Sequence, residues 1–509
     1  MFTRKTVQIS GNDAGNSFIS KCRRAAQYLY LLLIVVLKLG GDNAVEFVER
    51  NLRLQRFCRL HENFTAHECD FMDHDNFTYV KNTTNAREEH FVTVTNWISV
   101  PVSLLVISLA ASWSDRHGRK CLIKASVVGY FLAALSYTLF TIIESLPVEV
   151  LLTATILRSM VGGPSLFLTA VFSMMIDKTD FEARPMRLGR AVNVIIVGRS
   201  TGLATGLVYQ DLPFWTLFVA LLYYILVMFV ATKFLKEVAP EFEGRVPPRC
   251  RNSCADFLHP KNASDLVLVA FKKRPGRRRV HLLLIFFVTF FLLCSPPSFL
   301  PEWETTYLGW DSLQVIIVSA AFIIGGQIFT LVVLRATERS PILDCLLAAT
   351  SEGMTAIQDL LLAAVTRPDL SGIVYGAMVF SLSHNLGEVG IRLALTKIGG
   401  ESEIGRLFGI LALQETAMTW AKDVAFRSFW DATRDNLPTS QHVLSASFAL
   451  LNSTVLFGVF FSQRNLASRG REEGREFVVD GNIKTEASKV AVKSAQGCDN
   501  TSFEKDCRF

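Results

Sequence analysis

Eleven charged side chains lie inside stretches that are otherwise apolar, and their types and spacing define the chemistry available to them. Lys38, Asp42 and Glu46 stand four residues apart, so they share one helix face and can pair with one another. Arg158, Arg199, Asp359, Glu388, Arg392, Glu415, Lys422 and Asp423 complete the set. A charge inside a membrane span costs roughly 2.5–3.5 kcal/mol on insertion scales, so each of these lines a cavity or holds a partner. Arg158, Arg392 and Arg199 are the candidate substrate-binding groups, because a guanidinium grips a carboxylate or phosphate through two parallel hydrogen bonds. The competing reading pairs each arginine permanently with a carboxylate such as Asp42 or Glu388 and makes it a helix tie. Asp42, Glu46 and Glu388 are the candidate proton carriers, since a carboxylate that changes its partner can gain or lose a proton.

Other chemistries find no support in the residue pattern. There is no G-x-x-x-x-G-K-[ST] phosphate loop, no trusted metal-ligand spacing and no nucleophile constellation, so neither an enzyme nor a cofactor is expected. Cys250, Cys254 and His259 fall in a basic stretch, where a chance cluster is the better account than zinc. Half of the residues are apolar, Phe alone numbers 38 and mean hydropathy is positive, which excludes an ordinary soluble globular chain. The net charge of +6 sits mainly in loops and reads as membrane topology rather than nucleic-acid binding.

These charges need long apolar helices to position them. Twelve are expected, over about Gln27–Glu46, Phe91–Trp113, Cys121–Ile143, Val150–Met175, Ala191–Val208 and Pro213–Leu235, then His281–Leu300, Leu313–Leu334, Pro341–Val365, Leu370–Leu395, Gly405–Phe429 and His442–Phe461. Residues 1–24 are expected as a disordered cytoplasmic tail, 25–235 as a first six-helix bundle and 281–462 as a second. The linker 236–280 is rich in Arg and Lys and reads as cytoplasmic; 463–509 reads as a disordered cytoplasmic tail. The first apolar run follows Lys21, Arg23 and Arg24 and contains Lys38 and Asp42, so it is expected to be a retained span rather than a cleaved signal. The hydrophilic stretch 49–90 carries acceptor sequons at Asn63, Asn76 and Asn82, which put it on the luminal or extracellular side. Cys58 and Cys69 share that oxidising face and can pair.

Between the second and third runs lies Ser114-Asp115-Arg116-His117-Gly118-Arg119-Lys120, a basic turn too short for a domain. Its order resembles the loop 2–3 signature of the major facilitator superfamily, G-x-x-x-D-R-x-G-R-[KR], with Ala111 in place of the first glycine. That resemblance implies an all-α membrane fold of twelve helices, two six-helix bundles around a central cavity. It also implies that Asp115, Arg116, Gly118 and Arg119 latch the bundles on the cytoplasmic side.

Leu157-Arg158-Ser159-Met160-Val161-Gly162-Gly163, Trp310-Asp311-Ser312 and the run from Arg392 to Phe408 are similar to the proton-coupled folate transporter family, solute carrier family 46. By that resemblance the function is secondary active transport, a proton-coupled symport of an organic anion, with a small anionic solute, protons and membrane lipid as partners. No nucleic acid and no obligate protein partner are implied. Three positions depart from the family: Gly309 replaces an expected cysteine, Val192 stands near the helix 5 glutamate and Leu292 near the helix 7 histidine. They count against folate and the family's usual proton route. One rival is a drug–proton antiporter, but the run from Gly198 to Gly206 lacks the Gly-Pro pair that such exporters carry. A non-transporting membrane receptor is the other. Neither tail shows an obvious sorting signal, which favours the plasma membrane over the lysosome.

Overall fold

A chain in hydrocarbon must satisfy its own backbone hydrogen bonds, and a helix does so within a single segment. The computed structural model describes residues 11–61, 64–70, 78–143, 145–179, 183–208, 212–237, 254–292, 308–310, 312–337, 344–365, 367–400, 403–433, 437 and 439–492, and the regular elements among them are helices. In chain order these are α1 (Gly11–Arg56), α2 (Ala66–Asp70), α3 (Thr78–His117), α4 (Lys120–Ile142), α5 (Leu151–Ser159), α6 (Gly163–Asp177), α7 (Arg184–Val208) and α8 (Pro213–Lys233). Then come α9 (Cys254–Phe257), α10 (Lys261–Phe271), α11 (Arg278–Leu292), α12 (Ser312–Thr337), α13 (Asp344–Ala363), α14 (Gly372–Ser381), α15 (His384–Ile398), α16 (Ile404–Thr433) and α17 (Ser440–Val492). Seven segments among the described residues are long and apolar enough to cross a membrane by length and composition. The charged helices α1, α13 and α16 fall outside that set.

The helices sort into two packed groups. The first is α1 with α3 to α8, and the second is α11 with α12 to α17. They meet where α3 and α6 face α16, and where α7 faces α12 and α15. Within the first group, Gly198, Gly202 and Gly206 lie one turn apart on α7 and let α1 approach to backbone contact. A side chain at Gly202 would strike the Gly40 carbonyl, and one at Gly206 would enter the Phe47 ring. Gly202→Leu is therefore expected to lower the thermal midpoint of the purified protein by several degrees, which a tryptophan-fluorescence melt checks. A melt equal to wild type would show that the two backbones are not held together here.

Two expected spans are each broken near the middle. The fourth splits into α5 and α6 at Gly162, whose φ of +76° is a left-handed conformation that a side chain would strain. The tenth splits into α14 and α15 around Leu382 and Ser383. Both breaks lie beside an arginine: the partly buried Arg158 in the last turn of α5 and the buried Arg392 two turns into α15. Interrupted helices at matching places in the two halves are where transporters form binding sites.

Other boundaries differ from the sequence expectation. Residues 11–24 continue α1 instead of forming a disordered tail, and α1 runs on to Arg56, beyond Glu46. The stretch 49–90 is largely helical, through the end of α1, the π turn Phe57–His61, α2 and the start of α3. Here Cys58 and Cys69 are joined by a disulfide, buried with Val80 and backed by Phe64. Past Gln463 the chain remains helical to Val492, where the tail was expected to be disordered. Asn82 is exposed on α3, while Asn63 and Asn76 lie outside the described residues.

Candidate functional site

The seam between the two groups is closed at the end that carries the D-R-x-G-R-K turn. Gly118 takes φ +95°, which reverses the chain between α3 and α4 and brings the Arg119 and Lys120 amides to the Glu237 carboxylate at 2.9 and 3.0 Å. That carboxylate satisfies the first amides of α4, a helix N-terminus that attracts negative charge. Asp115 and Arg119 are both buried. Arg119 holds Asp115 at 3.1 Å and Asp177, at the end of α6, at 2.6 Å. Asp115 also accepts from the Arg406 backbone N–H at 3.2 Å and side chain Nε at 3.1 Å, and Arg406 belongs to the second group. Gly405 makes this approach possible, because a Cβ there would collide with Asp115 and Arg119. Arg116 donates to Asn262 and His117 Nε2 lies 3.3 Å from Asp256, so the linker helices α9 and α10 fasten to the same turn.

The second group repeats the tie with its charges exchanged. Asp344 at the start of α13 pairs with Lys397 at the end of α15, whereas in the first group the cation begins the helix and the anion ends it. Beyond it, Glu403 pairs with Lys272 at 2.5 Å and Arg274 at 2.8 Å. Burial alone would raise the Glu403 carboxyl, but these two cations outweigh it and hold it below the usual carboxylate range. Further seam contacts lie close by. Thr169 donates to the Phe408 carbonyl at 3.2 Å, Asn193 to the Gln327 carbonyl at 3.0 Å, and Leu334 fills the space over Gly189.

Away from that end, the predicted charges separate into locked and available groups. Lys38 is fully buried, pairs with Asp42 at 2.5 Å and stacks over the Tyr130 ring at 3.6 Å. Asp42 also accepts from the Tyr224 hydroxyl at 2.9 Å, so both of its oxygens are engaged. Arg158 pairs with Glu49 at 2.8 Å; Glu49 holds Arg53 at 2.5 Å, and Arg53 in turn holds Glu88 at 2.8 Å. The pair with Glu49 is one the sequence reading did not anticipate. Arg158 is a tie within the first group, and its carboxylate partner is neither Asp42 nor Glu388. Glu46 and Arg199 are exposed and form no ion pair among the described residues. Arg199 lies within electrostatic reach of Glu46 on α1 and of Glu415 on α16, which places it across the opening between the groups.

Arg392 is shared. Its guanidinium is 2.6 Å from Glu388 and 2.7 Å from Glu415, and it sits 4.9 Å over the ring of Phe172, which belongs to α6 in the other group. The arginine side chain is only 5% exposed, while those of Glu388 and Glu415 are 38% and 21% exposed. The two carboxylates are thus more open than the cation they share. Trp97 on α3 meets Trp420 on α16 edge to face at 4.6 Å, adding an aromatic contact across the seam. Asp359 instead turns away to accept from Ser445 at 2.5 Å on α17. The side chains of Lys422 and Asp423, with Cys250, lie outside the described residues.

Four charged or titratable residues escaped the sequence reading. Glu49 and Arg53 extend the face already marked by Lys38, Asp42 and Glu46, and helical spacing reveals them once the helix is drawn long enough. His384 is exposed at the start of α15, four residues before Glu388 and eight before Arg392, on the same face. Glu352 on α13 is buried against α17, where it accepts from Asn452 at 3.0 Å.

A sequence model described as Major Facilitator Superfamily matches residues 90–417. The mouse protein named lysosomal proton-coupled steroid conjugate and bile acid symporter SLC46A3 is 24% identical over 384 residues, covering 70% of this chain and 77% of that protein. The rat protein of the same name is 24% identical over 383 residues, with 70% and 78% covered. Among solved structures, the human organic anion transporter MFSD10 (TETRAN) aligns with a TM-score of 0.63 at 16% identity, covering 86% of this chain and 99% of that one. A bacterial homologue of the iron transporter ferroportin in an outward-facing state aligns with a TM-score of 0.60 at 14% identity, covering 85% and 99%.

Proposed function

The chain belongs to the Major Facilitator Superfamily, an integral multi-pass membrane transporter with two helical bundles around a central cavity, and we propose that it is a proton-coupled symporter of an organic anion. The observation that carries this reading is Arg392 shared between Glu388 and Glu415, against Phe172 of the opposite bundle. Two carboxylates compete for one cation. An incoming anion that takes a place on Arg392 leaves one of them without its partner, and a proton then relieves the unpaired charge. Solute and proton thus enter together, since each makes room for the other. Asp42, engaged by Lys38 and Tyr224, is a weaker proton carrier in this scheme; Glu388 keeps the role that its position suggested, and Glu415 joins it.

Alternating access supplies the rest. The described seam is fastened at the latch end through Asp115 and Arg406, and Glu46, Arg199, Glu388 and Glu415 are reachable from the cleft. Arg199 is the first cation an anion meets there. Steroid conjugates and bile acids, which the mouse and rat relatives carry by name, join an anionic group to a large apolar body. The exposed Trp97 ring, set edge to face on Trp420 across the seam, suits such a body. The Val192 and Leu292 departures favour this class over folates.

For location, the lysosomal relatives outweigh a missing sorting motif, and we place the protein at the lysosomal membrane in preference to the cell surface. Imaging the tagged full chain beside markers of both membranes checks this. The function is tested in proteoliposomes, by uptake of labelled steroid sulfates, bile acids and folates with the cleft side at pH ~5.5 and at ~7.4. Acid-stimulated inward flux of the amphipathic anions is expected. Flux driven outward against protons would favour an exporter, and no flux of any solute would favour a receptor. Arg199→Gln is expected to raise KM by about tenfold, the loss of one exposed charge contact, while leaving the maximal rate nearly unchanged. An unchanged KM would remove Arg199 from the entry path.

A further inference from the structure

Glu352 lies behind the break in the tenth span, away from the cleft and unused by the scheme above. It sits on α13 at a junction with α15 and α17, with 5% of its surface exposed. Asn452 Nδ2 donates to it at 3.0 Å from α17, while Asn452 Oδ1, itself buried, finds no donor among the described residues. On the α15 side the neighbour is Gly387, where a Cβ would lie 3.5 Å from Glu352 Oε1. The adjacent Ser351 donates to the Ser383 carbonyl at 2.7 Å, one of the groups released where α14 ends and α15 begins. Among the described groups, the one other charge within electrostatic reach is Asp359, two turns along the same helix, which faces Ser445 and His442 on α17. Glu388 follows Gly387 but gives its carboxylate to Arg392. No described cation answers Glu352.

We propose that Glu352 is a proton-binding site, and that the proton it holds sets the packing of α13 against the break beside Arg392. An ionised carboxyl buried with one amide donor and no cation is uncompensated. A bound proton removes that charge and supplies a donor next to the oxygen that Asn452 leaves unpartnered. The link to transport rests on the symport reading; the proton site itself does not.

Infrared difference spectroscopy of the purified full chain, wild type minus Glu352→Gln, reads the site directly. A protonated carboxyl C=O band at neutral pH is expected, shifted to higher frequency when Asn452→Leu removes its hydrogen-bond donor. Absence of the band, or a band indifferent to Asn452→Leu, overturns the proposal. The second variant keeps Glu352 in place, so the test survives if the first folds poorly. In transport, Glu352→Gln should retain solute exchange at equal pH and lose the acid stimulation of net uptake. A wild-type pH profile would refute the coupling role. If the wild type carries no solute at all, the symport reading fails while the infrared result still decides the site.

Discussion

Replacing Arg392 with glutamine should reduce solute uptake by on the order of a hundredfold or more, with the protein still present in its membrane. Among the described residues, the guanidinium is the one group that both Glu388 and Glu415 hold, at 2.6 and 2.7 Å. Removing one partner of a buried ion pair costs about 3–5 kcal/mol, because the charge left behind stays uncompensated. Water that reaches the partly exposed Glu388 softens this, yet about 2.7 kcal/mol already corresponds to a hundredfold in rate. Arg392→Lys keeps the charge but cannot serve two carboxylates in the same planar fashion, so a partial defect is expected. Adding Glu415→Gln to Arg392→Gln restores the charge balance and should recover thermal stability without recovering uptake. Uptake and melting temperature measured on all three variants check the result. Near-normal, acid-stimulated uptake by Arg392→Gln would refute the shared-arginine mechanism.

Asp115→Asn should release the latch. Asp115 is the carboxylate that Arg119 of the first bundle and Arg406 of the second both engage, so its charge crosses the seam. Losing it leaves Arg406 without this partner and Arg119 with Asp177 alone, at a cost again of about 3–5 kcal/mol. That cost falls on the closed arrangement only, so the population shifts toward an opening at the latch end. A cysteine placed at Leu334, which is buried against Gly189, reports the shift through a membrane-impermeant thiol reagent. The eight cysteines outside the Cys58–Cys69 disulfide, Cys121 and Cys345 among them, are first replaced by serine. Faster labelling and an uptake loss of at least about tenfold are expected, and Arg406→Gln should do the same without adding to Asp115→Asn. Labelling as slow as in the parent would show that other contacts hold the seam.

Much of the architecture was legible because membranes impose length and charge rules on a sequence. The D-R-x-G-R-K turn and the membrane-depth charges announced themselves, since a charge among apolar residues requires a partner or a cavity. Partner choice was less legible. The Arg158 partner Glu49 was not seen because the first helix was ended at Glu46, one turn short of it. The break at Gly162 left a glycine signature, whereas the break near Ser383 left none, because Leu382 and Ser383 are ordinary helix residues. Glu352 was overlooked for a similar reason: its amide partner Asn452 is a hundred residues away, and local spacing cannot reveal such a pair. The helical course to Val492 was missed because polarity was read as disorder, and polar residues also form helices.

The glycine contacts between α1 and α7 set a ruler inside the protein. Glu46 and Arg199 ride on two backbones too close to slide apart, so their separation stays nearly constant while the bundles swing. In the proposed symport cycle the gap from Arg199 to Glu415 has no such restraint, so it widens and narrows as the bundles move. On the symport reading, a cargo long enough to touch both would measure that gap, and molecules too short to span it are expected to be carried poorly however strong their charge.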